Sequence, residues 1–149
     1  MMKHTVKTVV QIFLLAIFLP AVVSADDQDV IDYREHIMRT LDEQSAAVGM
    51  ILSTVIPGDN MAAHLQAIAL TAQIALKAFE PKVLGGEAKP EVWSNWEDFS
   101  KRMNEFAKNT ALVAAQAKEK GSEDPALADK VVDALSCKSC HDDYRKEKK

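Results

Sequence analysis

Apolar side chains along this chain recur at steps of three and four, and no stretch alternates with the period of a strand. From about Asp29 to Val55 the stripe runs Val30, Tyr33 or Arg34, Ile37, Met38, Leu41, Ser45, Val48, Leu52 and Val55, the spacing of one helix face. Pro57-Gly58-Asp59 ends it. A second stripe, from about Met61 to Phe79, carries Leu65, Ile68, Ala72, Leu76 and Phe79 and stops at Pro81. After a longer connection containing Gly85-Gly86, a third helix is predicted from Pro90 to about Glu119 through Trp93, Trp96, Phe99, Met103, Phe106, Thr110 and Val113. Pro90 suits a first helical turn and Glu91 complements the helix dipole there. Gly121 ends this helix. A fourth starts at Asp124-Pro125, an N-cap followed by proline, and continues through Leu127, Val131 and Leu135 to about Arg145.

Four amphipathic helices with mostly short connections predict an all-α fold, an antiparallel up-down-up-down four-helix bundle. Alanines recur on its inner stripes, at Ala46-Ala47, Ala62-Ala63 and Ala114-Ala115. They either let helices approach closely or are simply good helix formers.

The N-terminus does not fit the bundle. Lys3, His4 and Lys7 precede an apolar run from Val9 to Leu19, and Val23-Ser24-Ala25 supplies the small residues of a cleavage site. Residues 1–25 therefore read as an export signal, too short to span a bilayer comfortably. An uncleaved anchor is the competing reading. The domain is then 26–149. Removing the segment's two lysines leaves 16 basic against 22 acidic side chains, a net charge of −6 with histidine neutral. That balance argues against nucleic acid or an anionic membrane as partner, and suits a basic redox protein.

Both cysteines lie in one motif, Cys137-Lys138-Ser139-Cys140-His141. A disulfide, a thioredoxin-type pair and a partial zinc site are its alternatives. The redox pair belongs in a βαβ unit, which is absent here, and zinc normally takes four ligands. Haem attachment fits best: each thiol adds across a haem vinyl group, and the adjacent histidine reaches the iron. The cofactor expected is one covalent haem c.

The sixth ligand then decides the function. His36, His64, Met38, Met50, Met61 and Met103 are the candidates. The start of the first helix lies beside the end of the fourth in such a bundle. Met38 is roughly 13 Å from that start, while Met103 stands nearly 20 Å up the third helix and Met50 about 18 Å beyond Met38. Met61 and His64 begin the second helix at the far end. His36 is about 200° around the helix from Met38. Met38 is the best candidate; its alternative is a core methionine that covers the iron without binding it. Arg34, one turn before Met38, and Arg145, one turn after His141, can each pair with a haem propionate or stand as solvated charges. Phe79, Leu76, Trp93 and Tyr144 are expected as pocket walls.

These residues also carry a family resemblance. Tyr33-Arg34-Glu35-His36-Ile37-Met38, Gly85-Gly86-Glu87-Ala88-Lys89-Pro90-Glu91-Val92-Trp93 and Cys137 to Arg145 make the chain resemble the cytochrome c-prime family over almost all of the presumed mature length. That family is itself a standard example of the up-down-up-down bundle. The resemblance implies a haem near one end of the bundle, often in a homodimer formed through the first two helices. In most members the iron is five-coordinate and high-spin, a Leu or Phe covers its open face, and nitric oxide or carbon monoxide can bind. The covering position falls on Met38, which is similar to the low-spin subgroup in which methionine closes the sixth position. The family's propionate arginine falls on Arg34 and its C-terminal arginine on Arg145. Glu35 stands where many members have glutamine.

The expectation from sequence is a periplasmic one-electron carrier with a six-coordinate His141/Met38 haem, not an enzyme, with no stable membrane insertion once the signal is removed. The alternative is a five-coordinate gas-binding protein. A peroxidase-like enzyme would need an acid–base pair near the open face. His36 is the only nearby candidate and points the wrong way.

Overall fold

A computed structural model describes residues 25–121 and 124–147. All of the expected export signal except Ala25 lies outside the described residues. Among the described residues six α-helices follow in order: α1 (Asp27–Leu52), α2 (Met61–Ala75), α3 (Glu91–Ser94), α4 (Trp96–Lys120), α5 (Pro125–Ala134) and α6 (Lys138–Tyr144). A 3₁₀ turn, Leu76–Phe79, extends α2. α2 packs on both α1 and α4, and α5 packs on α4. The architecture is the expected four-helix bundle, with α3–α4 and α5–α6 as its broken third and fourth members. No described helix is long and apolar enough to cross a membrane.

Local chemistry sets the boundaries. Asp26 accepts from the Asp29 backbone N–H (2.8 Å) and Asp29 accepts from that of Asp26 (3.1 Å). This reciprocal cap moves the start of α1 to Asp27, and such caps contribute about 1 kcal/mol. α1 ends three residues before the expected Val55. Thr54 takes a left-handed φ of 58°, and the Val55 N–H closes back on the Met50 carbonyl (3.0 Å), an ending usually made with glycine.

Both later helices depart from the expected continuous spans. Asn95 (φ −122°, ψ 48°) separates α3 from α4, and its side chain donates to the Tyr144 hydroxyl (3.0 Å). Asparagine readily trades helical geometry for such a bond. The fourth helix starts as expected, with Asp124 capping the Ala126 N–H (3.0 Å), but stops at Ala134. The Leu135 carbonyl is taken by the backbone N–H (2.8 Å) and the thiol (3.2 Å) of Cys137. A continuous helix would offer that carbonyl to the N–H of Ser139.

The core is centred where α2 meets α1 and α4, around Val48, Leu65 and Ile68, with Leu127 and Val131 of α5 also fully buried. The alanines of close approach are Ala69, Ala72 and Ala75 on α2 and Ala114 and Ala117 on α4. Of the six alanines expected inside, only Ala114 is buried; Ala46, Ala63 and Ala115 are exposed. Alanine's helix propensity accounts for those three.

The connection between residues 80 and 90 forms a strap across one end of the bundle. Its far side is bound to the end of α6. Lys89 N–H donates to Tyr144 O (2.9 Å) and Lys146 N–H to Glu87 O (2.8 Å), with an isolated antiparallel bridge between Ala88 and Arg145. Its near side presses on α1 through Gly85 (φ 147°) and Gly86 (φ 57°). A Cβ at Gly86 would stand 2.7 Å from Glu35 Oε1 and 2.9 Å from Ile31 Cγ2. Gly86→Ala is therefore expected to destabilise the protein by about 1–3 kcal/mol through backbone strain and overpacking. Denaturant unfolding of the two proteins checks this; equal midpoints would contradict it.

Candidate functional site

The strap, α1, α4 and the α5–α6 segment surround a cavity of about 600 Å³, within the range of pockets that hold cofactors. Arg34, Met38, Cys137, Cys140, His141 and Arg145 all line it. The six residues nominated from sequence, from the two ends of the chain, meet at one place. Phe79 and Tyr144 line it too, whereas Trp93 and Leu76 do not. Trp93 stands behind the wall, donating its indole N–H to Phe79 O (2.8 Å).

Cys137 and Cys140 are both free thiols, so the disulfide alternative does not describe this structure. Among the described residues, no group of three or more His, Cys, Asp or Glu side chains could hold a metal ion. Burial pushes both thiols up from their ordinary values, with Asp42 adding to the effect at Cys137. His141 is pulled down, first by burial and then by the nearby Arg145 charge. Both effects favour the neutral imidazole.

Arg34 is buried, at 3% exposure, without a carboxylate at ion-pair distance among the described residues. Nη2 donates to Val83 O of the strap (2.8 Å). The guanidinium carbon lies 5.0 Å from the Trp93 ring centre and 5.7 Å from that of Phe79. Nη1 has no partner. Burial depresses its pKa, with Glu35 opposing. Leaving a buried charged donor unsatisfied is costly. A cation in the cavity wall with a donor to spare fits a bound molecule carrying a carboxylate. Two free thiols three residues apart and a histidine beside them fit the haem expected from the motif.

Arg145 is differently placed. Its Nε and Nη2 both lie 2.7 Å from Glu87 Oε2, so its first partner is the strap.

Of the sixth-ligand candidates, Met38 lines the cavity, half-buried, and so does the buried Met103. Met103 departs from expectation because the third helix restarts at Trp96. It then stands only seven residues, about 10 Å, along α4. His36 is exposed and Met50 is 47% exposed. His64 bonds to Gln44 (2.8 Å), and Met61 is buried at the start of α2. Sequence reasoning also passed over Asp42, one turn beyond Met38 on the same face, and Arg102, for which no motif gives a signal.

Tyr144 ties α6 to α4. Its hydroxyl donates to Asp98 Oδ2 (2.6 Å), and its ring meets Phe99 edge-on at 5.2 Å.

The family model for cytochrome c′ matches residues 29–145. Cytochrome c′ of Alcaligenes xylosoxydans xylosoxydans is 28% identical over 126 residues, covering 83% of this chain and 98% of the relative. That of Halomonas halodenitrificans is 29% identical over 133 residues, covering 83% and 100%. Among solved structures, cytochrome c prime from Shewanella frigidimarina superposes with a TM-score of 0.74 at 26% identity, over 84% of this chain and all of the other. A nitric oxide complex of an Alcaligenes xylosoxidans variant gives 0.72 at 26% identity, over 84% and 100%. A carbon monoxide-bound variant from the same organism gives 0.71 at 25% identity, over 83% and 98%.

Burial, then the bond to Asp98, pushes the Tyr144 phenol up from its usual 10 to about 12. The fold favours the protonated form, so this contribution is complete below pH 10 and is lost as pH rises through about 12. A phenolate absorbance titration is expected to show a late component that disappears in Tyr144→Phe. The variant should also lose less stability than the parent between these pH values. A late component that survives the substitution contradicts the assignment.

Proposed function

The chain belongs to the cytochrome c′ family, and from that premise we propose that it is an exported haem c protein that binds a small diatomic gas, nitric oxide or carbon monoxide. The family's cofactor is covalently attached haem c. Cys137 and Cys140 would supply the two thioether links, His141 the axial nitrogen, and Arg34 the donor for a propionate. Bound there, haem would supply an iron able to bind a small ligand and to change oxidation state by one electron.

The observation that carries this reading is a set of apolar side chains in the wall: Met38, Phe79, Phe99, Met103 and Phe106 line the same cavity as His141, which charged residues such as Arg34, Asp42 and Arg102 also line. The apolar part of the wall suits a small neutral ligand. The relatives solved with nitric oxide and carbon monoxide support the same ligand class. The expected periplasmic location and the homodimer through α1 and α2 belong to this proposal; Leu70 and Ile74, one turn apart on α2, are exposed.

A second reading is favoured by one residue. The Met38 thioether lies in the wall and is a soft donor suited to haem iron. Bound, it would close the open face and leave a one-electron carrier, for which the acidic balance of the chain favours a basic partner.

The visible spectrum of the ferrous protein separates the two. Gas binding is expected to give a broad high-spin Soret band that shifts at once with carbon monoxide. Sharp low-spin bands indifferent to carbon monoxide would overturn it in favour of the carrier. In that case Met38→Ala should give a high-spin iron open to carbon monoxide, tightening its binding about tenfold or more, or about 1.4 kcal/mol. Met103→Ala should leave the spectrum unchanged.

A further inference from the structure

Arg102 on α4 lines the same cavity as Cys140 and His141, and no step above uses it. Its guanidinium joins two helices. Nε lies 2.7 Å from Asp98 Oδ2 within α4. Nη1 reaches across to α6, where it lies 2.9 Å from Asp143 Oδ2 and donates to the Ser139 carbonyl at 3.3 Å. Cζ stands 5.5 Å from the Tyr144 ring centre. Ser139 and Asp143 are the residues two before and two after His141, so one side chain holds both flanks of His141. Such a planar fork is a geometry that lysine cannot reproduce.

The charge matters as well as the shape. Arg102 with Asp98 and Asp143 makes a cluster of net charge −1; without the arginine it is −2. Positive charge beside a redox iron favours the reduced state, and negative charge the oxidised one. The Arg102 and Asp98 side chains are 35% and 37% exposed and Asp143 is 54% exposed, so the effect is partly screened and weakens with salt.

We propose that Arg102 is a positioning residue that holds the Cys137–His141 segment against α4 and, through its charge, raises the reduction potential of the haem attached there. The inference rests on Cys137, Cys140 and His141 being the haem anchor.

The test uses the haem-loaded wild type, Arg102→Gln, Arg102→Lys and Asp143→Asn. Haem staining after denaturing electrophoresis comes first: wild type without covalent haem defeats the anchor reading itself. Reduction potentials at low and high salt then address Arg102. Arg102→Gln is expected to lower the potential and Asp143→Asn to raise it, with the separation narrowing at high salt. Arg102→Lys should keep the potential near wild type while losing thermal stability, because charge is retained and the fork is not. A role confined to structure would move the melting temperature and leave the potentials together. Equal potentials at low salt, or shifts of the same sign in Arg102→Gln and Asp143→Asn, overturn the proposal. Should Arg102→Gln fail to fold, Asp143→Asn decides alone: a rise supports the proposal and its absence overturns it.

Discussion

A helix of seven residues cannot hold itself together in water, so the position of Cys140 and His141 depends on what α6 is tied to. Three attachments supply that support. Tyr144 enters the aromatic cluster beside Phe99 and bonds to Asp98. The strap pairs its backbone with the residues around Arg145. Arg102 grips the two flanks of His141. The buried aromatic contact and the backbone bonds carry most of this, because half-exposed ion pairs contribute little on their own. The break before Cys137 frees α6 from the direction of α5, and the attachments then give it another.

The strap links this end of the fold to α1. Gly85 and Gly86 let it lie directly on Ile31 and Glu35, while its Val83 carbonyl holds Arg34. The same eleven or so residues thus support the C-terminal motif on one side and a buried cation on the other. Arg34 is a charge out of water with one buried donor unpartnered among the described residues. Any anion that binds the folded cavity and pairs with it will stabilise the fold by mass action. Cofactor binding and stability of this end of the bundle are in that sense one equilibrium.

Much of this was legible in sequence because it rests on periodicity and covalent spacing. Three- and four-residue steps identify four helical stretches, and Cys137, Cys140 and His141 are adjacent by chemistry. Topology then brings Arg34 and Met38 to the same end. The remainder depends on contacts between residues far apart in the chain. Asn95 reads as an ordinary helical position until Tyr144 arrives as its partner. The break it makes changes the height of Met103, so an argument from helix rise placed that side chain too far away. The end of α5 likewise depends on Cys137 bonding back to Leu135. Arg145 illustrates the same limit: its charge and position were visible, but its pairing with Glu87 required the strap to fold back beside it.

The cavity walled by α1, the strap, α4 and α6 is proposed as the seat of a haem attached at the C-terminal motif. A crystal structure of the haem-loaded protein tests this proposal most directly. The account expects thioether links at Cys137 and Cys140, His141 on the iron, and the guanidinium of Arg34 turned to a propionate. A haem held outside this cavity, or one inside it with Arg34 still unpartnered against Trp93, would contradict the account.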